Sequence, residues 1–310
     1  MKFPRIYLVR QDFPDRRLAD AQGEARRRLE EADLASRVRP GARIAVGAGS
    51  RGIDNYAVII KAAVDYWKAH GCKPFIFPAM GTHGGGTAEG QASVLAHYGV
   101  NEAAMGCPIV SSLEVVPTGR TPEGIQTFMD RNAYESDGVF LVGRVKWHTD
   151  FVGKIESGLC KMVAIGIGKV AGAQQYHAFG YRLGLERVIR SALRQVASTG
   201  KLVGGMAIME DARHHTAGLA VVPIEDFERR EEELLATVKS WKGRIPVDEL
   251  DVLIVDEMGK DISGTGMDSK VINRMMNLEA NCFPDAPRIH RIFVRDLTKD
   301  TYGNAIGMGM

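Results

Sequence analysis

The chain has 310 residues, 45% of them hydrophobic and 25% charged, with a formal net charge of +2. That length allows two domains, or one large domain with an appendage, and a sizeable buried core. The near-neutral balance gives no electrostatic case for nucleic acid or an acidic membrane as a partner, and 35 glycines favour an α/β enzyme with backbone-lined loops over a helical bundle.

In chain order, residues 15–36 mix arginine and glutamate with leucine and alanine at helical spacing, which predicts a helix with a solvated face ended by Pro40-Gly41. Ala42–Val46 reads as a strand, Ile53–His70 as a helix and Pro74–Pro78 as a second strand. Thr87–Tyr98 reads as a helix with Thr87 as its N-cap. Leu113–Val116 and Ile125–Met129 read as an antiparallel pair, and Gly138–Gly143 as a buried strand. Ser157–Gly168 and Arg182–Ser198 read as helices, Leu202–Met209 and Ala217–Val222 as strands, and Ile224–Trp241 as a charged amphipathic helix. Pro246 marks a linker; Val252–Val255 and Arg288–Val294 are late strands. The alternation predicts an α/β fold: a mostly parallel sheet with helices on both faces, plus a second, smaller α/β domain. The expected division is 1–245 for cofactor binding and catalysis, and 246–310 as the start of a short or truncated C-terminal domain.

The N-terminus lacks an apolar leader core, and Leu159–Ala173, broken by Lys161 and Lys169, is too short and too charged to span a bilayer. A cytoplasmic protein with no membrane partner is expected. Cys72, Cys107, Cys160 and Cys282 form no C-x-x-C spacing and read as reduced, buried thiols.

Polar residues recur just after strands: Arg51, His83, Lys146 and His148, then Glu210, Asp211, His214 and His215, then Lys260 and Asp261. Ligands of open α/β sheets bind beyond the carboxyl ends of the strands, so these groups are expected along one sheet edge. His83 sits in FPAMGTHGGGT, where four of the eleven residues are glycine. Such a loop leaves room beside the ring, and a neutral histidine there can take a proton from a hydroxyl or hold a metal. His148 is a second base at the same edge. Lys161 is one charge in an apolar, glycine-studded segment; it either snorkels to solvent or is a desolvated nucleophile. His177 follows sixteen residues later and is read by itself as structural or as a metal ligand. Adjacent His214 and His215 cannot both face one ion from a strand, and read either as groups supporting the site from behind or as a structural hydrogen-bonding pair. No Walker or dinucleotide glycine spacing is present.

Ser50-Arg51, Gly81-Thr82-His83, His148, and Lys161 with His177 sixteen residues on occur in one order across about residues 40–265. In this the chain resembles the nickel-dependent lactate racemase family and its 2-hydroxyacid racemase and epimerase homologues. The resemblance implies two α/β domains with the active site in the cleft between them. It implies a nickel pincer nucleotide cofactor, a pyridinium mononucleotide attached to Lys161, with Gly81, Thr82 and Gly84 near it and His177 as the protein ligand to nickel. It also implies His83 and His148 as the acid/base pair and Arg51 as the grip on the substrate carboxylate, with Lys260 as a candidate second-domain cation. The implied reaction removes the C2 hydride and hydroxyl proton of a small 2-hydroxyacid and returns them on either face. The sequence departs from the family at Ala48, where an acidic residue is usual, and in Gly158-Leu159-Cys160-Lys161, where Gly-Gly-Arg-Lys is common. The interval from His148 to Lys161 is about three residues longer than the family's. These departures bear on the identity of the hydroxyacid more than on the cofactor. The competing expectations are a redox enzyme or isomerase of another α-hydroxy compound using the same cofactor, and a non-catalytic nickel or nucleotide carrier.

Overall fold

The computed structural model describes residues 5–49, 52–275 and 280–309. The chain divides into two compact units: Arg16–Trp241, and a smaller one built from the described residues up to Asp15 together with those from Lys242 onward.

The larger unit is built on a five-stranded sheet. Its strands are β1 (Arg43–Ala48), β2 (Lys73–Pro78), β5 (Gly138–Arg144), β6 (Leu202–Glu210) and β7 (Thr216–Pro223), in the spatial order β2-β1-β5-β6-β7. β2, β1, β5 and β6 run parallel; β7 returns antiparallel along β6. A separate antiparallel hairpin joins β3 (Val115–Arg120) to β4 (Gln126–Asp130). Both sheet faces are covered, which is why the parallel strands read as unbroken apolar runs. Ile44, Val46, Phe140, Val142, Met206 and Ile208 point to the face packed by helices Ala21–Ala32 and Tyr56–Ala69. Ala45, Phe77, Val139, Leu141 and Ala207 point to the other face, packed by helices Leu185–Ala197 and Phe227–Trp241.

Local expectations hold at several points. Asp20 caps the first helix, and Arg27 and Arg28 pair with Glu24 on its solvated side while Ala21, Ala25 and Leu29 are buried. Thr87 caps Ala88–His97 by accepting from Gly90 N at 3.0 Å.

The region after residue 157 differs. Instead of one helix to Gly168, a short turn at Leu159–Lys161 runs into a π-turn at Met162–Gly166, with Ile167 N donating to Met162 O at 2.9 Å. A second helix then spans Lys169–Leu183 and carries His177, where the sequence pattern predicts none before Arg182. Its buried positions are Lys169, Gly172, Ala173 and Tyr176. These follow the i, i+3, i+4, i+7 rule, but a lysine and a glycine in the stripe conceal it from an apolar count. Cys72, Cys107 and Cys160 are buried free thiols as expected, whereas Cys282 is exposed.

In the smaller unit, β8 (Glu249–Met258) and β9 (Arg288–Leu297) pair in parallel over a small core of Met258, Met267, Ile272 and Ile289. Val252, Ile254 and Phe293 remain exposed on this pair. No helix among the described residues is long and apolar enough to cross a membrane.

Candidate functional site

β1 connects to β2 on one side, and the chain later returns to place β5 on β1's other side, so the strand order reverses between β1 and β5. The carboxyl ends flanking such a reversal form a natural crevice. Gly49 N donates to Val142 O at 3.1 Å there, and Ala79 N to Ala48 O at 2.7 Å. Ser50 and Arg51 follow directly and lie outside the described residues. Their neighbours are held firmly. Arg144 donates to Gly52 O at 2.6 Å and pairs at 2.5 Å with buried Glu210, whose other oxygen accepts from Asp54 N at 3.0 Å.

Met162 lies over the ends of β1 and β5. A Cβ at Gly143 would stand 2.1 Å from its sulfur, and one at Gly49 3.5 Å. Glycine at position 143 therefore lets the turn carrying Lys161 rest directly on the sheet edge.

The chain leaves β5 in a loop closed by a bridge between Lys146 and Ser157. Inside it, the fully buried Glu156 carboxylate accepts from His148 N at 2.5 Å and from Gly153 N at 3.2 Å, and pairs with Lys239 at 2.6 Å. His148 packs against Phe151 in a tilted arrangement, with ring centroids 4.6 Å apart. Its Nδ1 accepts from Asp150 N at 3.0 Å, so the neutral ring carries its proton on Nε2. In this arrangement His148 offers a donor, and accepting a proton at Nε2 requires the Asp150 contact to release. A cavity of about 800 Å³ adjoins this loop at Phe151; its arginines are committed, Arg187 to Glu123, Arg190 to Glu186, Glu228 and Glu232, and Arg194 to Glu228.

Lys161 and His177 come within electrostatic range of each other, and Asp150 acts on both. Burial pushes the Lys161 ammonium down to about 8, with Asp150 opposing. Burial and then the Lys161 charge lower the His177 imidazole, and Asp150 again opposes, although His177 as a whole is exposed. The chemical content is an amine that is partly neutral near physiological pH beside an imidazole that resists protonation.

Beneath this turn lies Glu231, from helix Phe227–Trp241. Its carboxylate accepts from Cys160 N at 2.8 Å, and a Cβ on Gly158 would stand 2.4 Å from its carboxyl carbon. Burial pushes Glu231 up to about 7. The folded protein thus holds this proton to a higher pH than the unfolded chain does. The resulting stabilisation is complete below about 4.5 and is lost as pH climbs through about 7. Glu231→Gln is expected to remove a slope worth on the order of 3 kcal/mol across that window. Urea unfolding at a series of pH values checks this; an unchanged slope would contradict it.

The His83 loop packs on the π-turn: Gly81 N donates to Gly166 O at 3.1 Å, and a Cβ on Gly81 would meet Ile165 at 3.1 Å. His83 is part-buried, and Thr82 is exposed. Gly84, Gly85 and Gly86 all have left-handed φ, at 64°, 68° and 67°. A Cβ on Gly84 would stand 2.5 Å from the carbonyl carbon of Gly90. The glycines therefore set the loop's backbone and its contact with the following helix, rather than simply clearing space around the ring.

Among the residues singled out in the sequence, the larger unit thus brings the His83 loop, His148, Lys161 and His177 to the carboxyl edge of the sheet. His214 and His215 serve the structure: His215 N donates to buried Asp211 at 3.0 Å, and His214 Nδ1 lies 3.8 Å from Glu210. Lys260 belongs to the smaller unit, where its N–H donates to Thr301 Oγ1 at 3.2 Å. Asp150, Glu156 and Glu231 join the site only in the folded chain. Glu231 had a readable signal, since it falls on the stripe of Phe227, Leu234, Leu235 and Val238.

No protein-family model matches the chain, and no curated protein matches it. Among solved structures, the lactate racemase apoprotein from Thermoanaerobacterium thermosaccharolyticum is similar, with a TM-score of 0.53 at 15% sequence identity. The match covers 80% of this chain and 63% of that one, so the chain spans less than two thirds of its neighbour's length. At this identity the likeness carries the fold: the larger unit's helix-flanked, mostly parallel sheet has a lactate racemase as a structural neighbour.

Proposed function

We propose that the chain is a racemase or epimerase of a small 2-hydroxyacid that uses a nickel pincer nucleotide. The observation that supports this most is that Lys161 and His177 come within electrostatic range of each other at the sheet edge, beside the loops of His83 and His148. The residues fit the group. A lysine lowered to about 8 has a neutral, nucleophilic fraction for covalent attachment, and an imidazole kept from protonation retains a lone pair for nickel. When bound, the cofactor supplies a reversible hydride acceptor.

The chain's own residues do the rest. Arg51 holds the substrate carboxylate, a task suited to a planar, two-pronged guanidinium. His83 and His148 remove and return the hydroxyl proton on the two faces of the planar keto acid left by proton and hydride loss. His148 takes its turn as base once the Asp150 N–H leaves Nδ1. The loops set these groups, and Phe151 packs beside the His148 ring. A nickel or nucleotide carrier would need the lysine and His177 but would have no use for two acid/base histidines.

The test is expression with the cofactor-synthesis machinery, followed by intact mass, nickel analysis and polarimetric assay of a panel of 2-hydroxyacid enantiomers. The reading expects a covalent mass increase, bound nickel and interconversion of one enantiomeric or epimeric pair. Loaded protein inert towards the whole panel would favour the carrier.

A further inference from the structure

Lys169 is fully buried in the larger unit, as are Asp130 and Gln91. It begins helix Lys169–Leu183 three residues after the π-turn ends, in a left-handed conformation with φ of 53° that a non-glycine residue rarely adopts. Such a conformation costs free energy and persists only where the surroundings impose it. The surroundings here are two hydrogen-bond acceptors and one ion-paired carboxylate gathered round its ammonium. They are Pro78 O at the end of β2, Gln91 Oε1 at 3.2 Å and Asp130 Oδ2 at 3.3 Å. The cation also lies 5.8 Å from the centre of the Phe77 ring.

Asp130 and Gln91 are themselves anchored. The other Asp130 oxygen accepts from Ala133 N at 3.1 Å. The Gln91 amide turns its Nε2 to Gly81 O at 2.8 Å and to His83 O at 3.4 Å. A continuous polar chain therefore runs from Asp130 through Lys169 and Gln91 to both ends of the Gly81-Thr82-His83 segment. The same lysine stands three residues beyond the end of the π-turn that begins one residue after Lys161. A buried ion pair is seldom the most stable filling for a core, and an apolar pair of the same volume usually serves stability as well. What this pair does that an apolar pair would not is fix the carbonyls of a glycine-rich loop that has little side-chain packing of its own.

We infer that Lys169, held by Asp130 and acting through Gln91, is a positioning residue that locks the His83 loop onto the segment carrying Lys161. The geometry of the brace stands by itself; its consequence for turnover rests on the function proposed above.

The test uses the full chain. Lys169→Met combined with Asp130→Asn removes both charges together, so that neither is left buried alone. Gln91→Leu keeps the ion pair and cuts only its link to the loop. The first readout is the rate at which diethyl pyrocarbonate modifies His83, followed by peptide mass, with exposed His97 as internal reference. Freed of the brace, the loop should open more often, and His83 modification should rise by about an order of magnitude relative to His97. In cofactor-loaded protein, kcat should fall on the order of 10²-fold with KM little changed, because a misplaced base harms the reaction more than binding.

If the double variant does not fold, Gln91→Leu decides the matter by the same two measurements. A folded variant in which His83 reacts within about twofold of wild type would overturn the brace. Because the modification rate needs neither cofactor nor substrate, it stands even if the wild-type protein proves to have no racemase activity.

Discussion

Lys161→Ala is expected to abolish covalent loading of the cofactor completely, with no residual mass increase on the intact protein. The turn that carries Lys161 is seated by Met162 on the ends of β1 and β5 and is tied from below by Glu231. Burial lowers its ammonium to about 8, so the amine is a far better nucleophile near neutral pH than an exposed lysine with a pKa of about 10.4. The same property can be read without cofactor. Acetylation of Lys161 by an amine-reactive ester should rise with pH and reach half its maximum near 8, while exposed lysines are still climbing. Asp150 favours the charged form, so Asp150→Asn should move that midpoint downward. His177→Ala should leave the covalent link intact and weaken nickel retention. A Lys161→Ala protein carrying the wild-type mass increase, or a Lys161 titrating with the exposed lysines, would defeat the assignment.

The second large effect concerns the bases. His83→Ala and His148→Ala should each lower turnover on the order of 10²-fold or more, in both directions, because the base for one enantiomer is the acid for the other. Arg51→Ala should instead act mainly on KM, since a carboxylate grip is largely present in the ground state. Initial rates from each enantiomer of the true substrate, measured with loaded protein, separate these cases. Full activity in His83→Ala would leave the three left-handed glycines after it with a structural role only.

Much of this was legible along the chain because it depends on local chemistry. Runs such as Gly138–Gly143 and Leu202–Met209 are apolar at every position, and only a strand covered on both faces makes that pattern economical. Thr87 announces a helix start because its hydroxyl can reach Gly90 N. The strand-end placement of His83 and His148 follows from the same alternation. So does the pairing of Arg27 with Glu24, which is set by helical pitch.

Other features are properties of the assembled molecule. Helix Lys169–Leu183 is invisible to an apolar count because its buried stripe contains a lysine and a glycine, and whether a lysine is buried depends on acceptors far away in sequence. Lys169 finds them at Pro78, Gln91 and Asp130, each nearly forty or more positions distant. The π-turn after Lys161 is likewise a tertiary outcome: a Cβ on Gly166 would stand 2.6 Å from Ala79 O. The donor tautomer of His148 is set by the amide of Asp150, and the lowered amine of Lys161 by burial under neighbouring segments. The sequence alone thus determined the α/β alternation and the residue types at the sheet edge, since periodicity and turn chemistry act over a few residues. Only the tertiary structure decided which charges are buried, what holds them and which protons they carry, because desolvation and hydrogen bonding act between residues the chain keeps far apart.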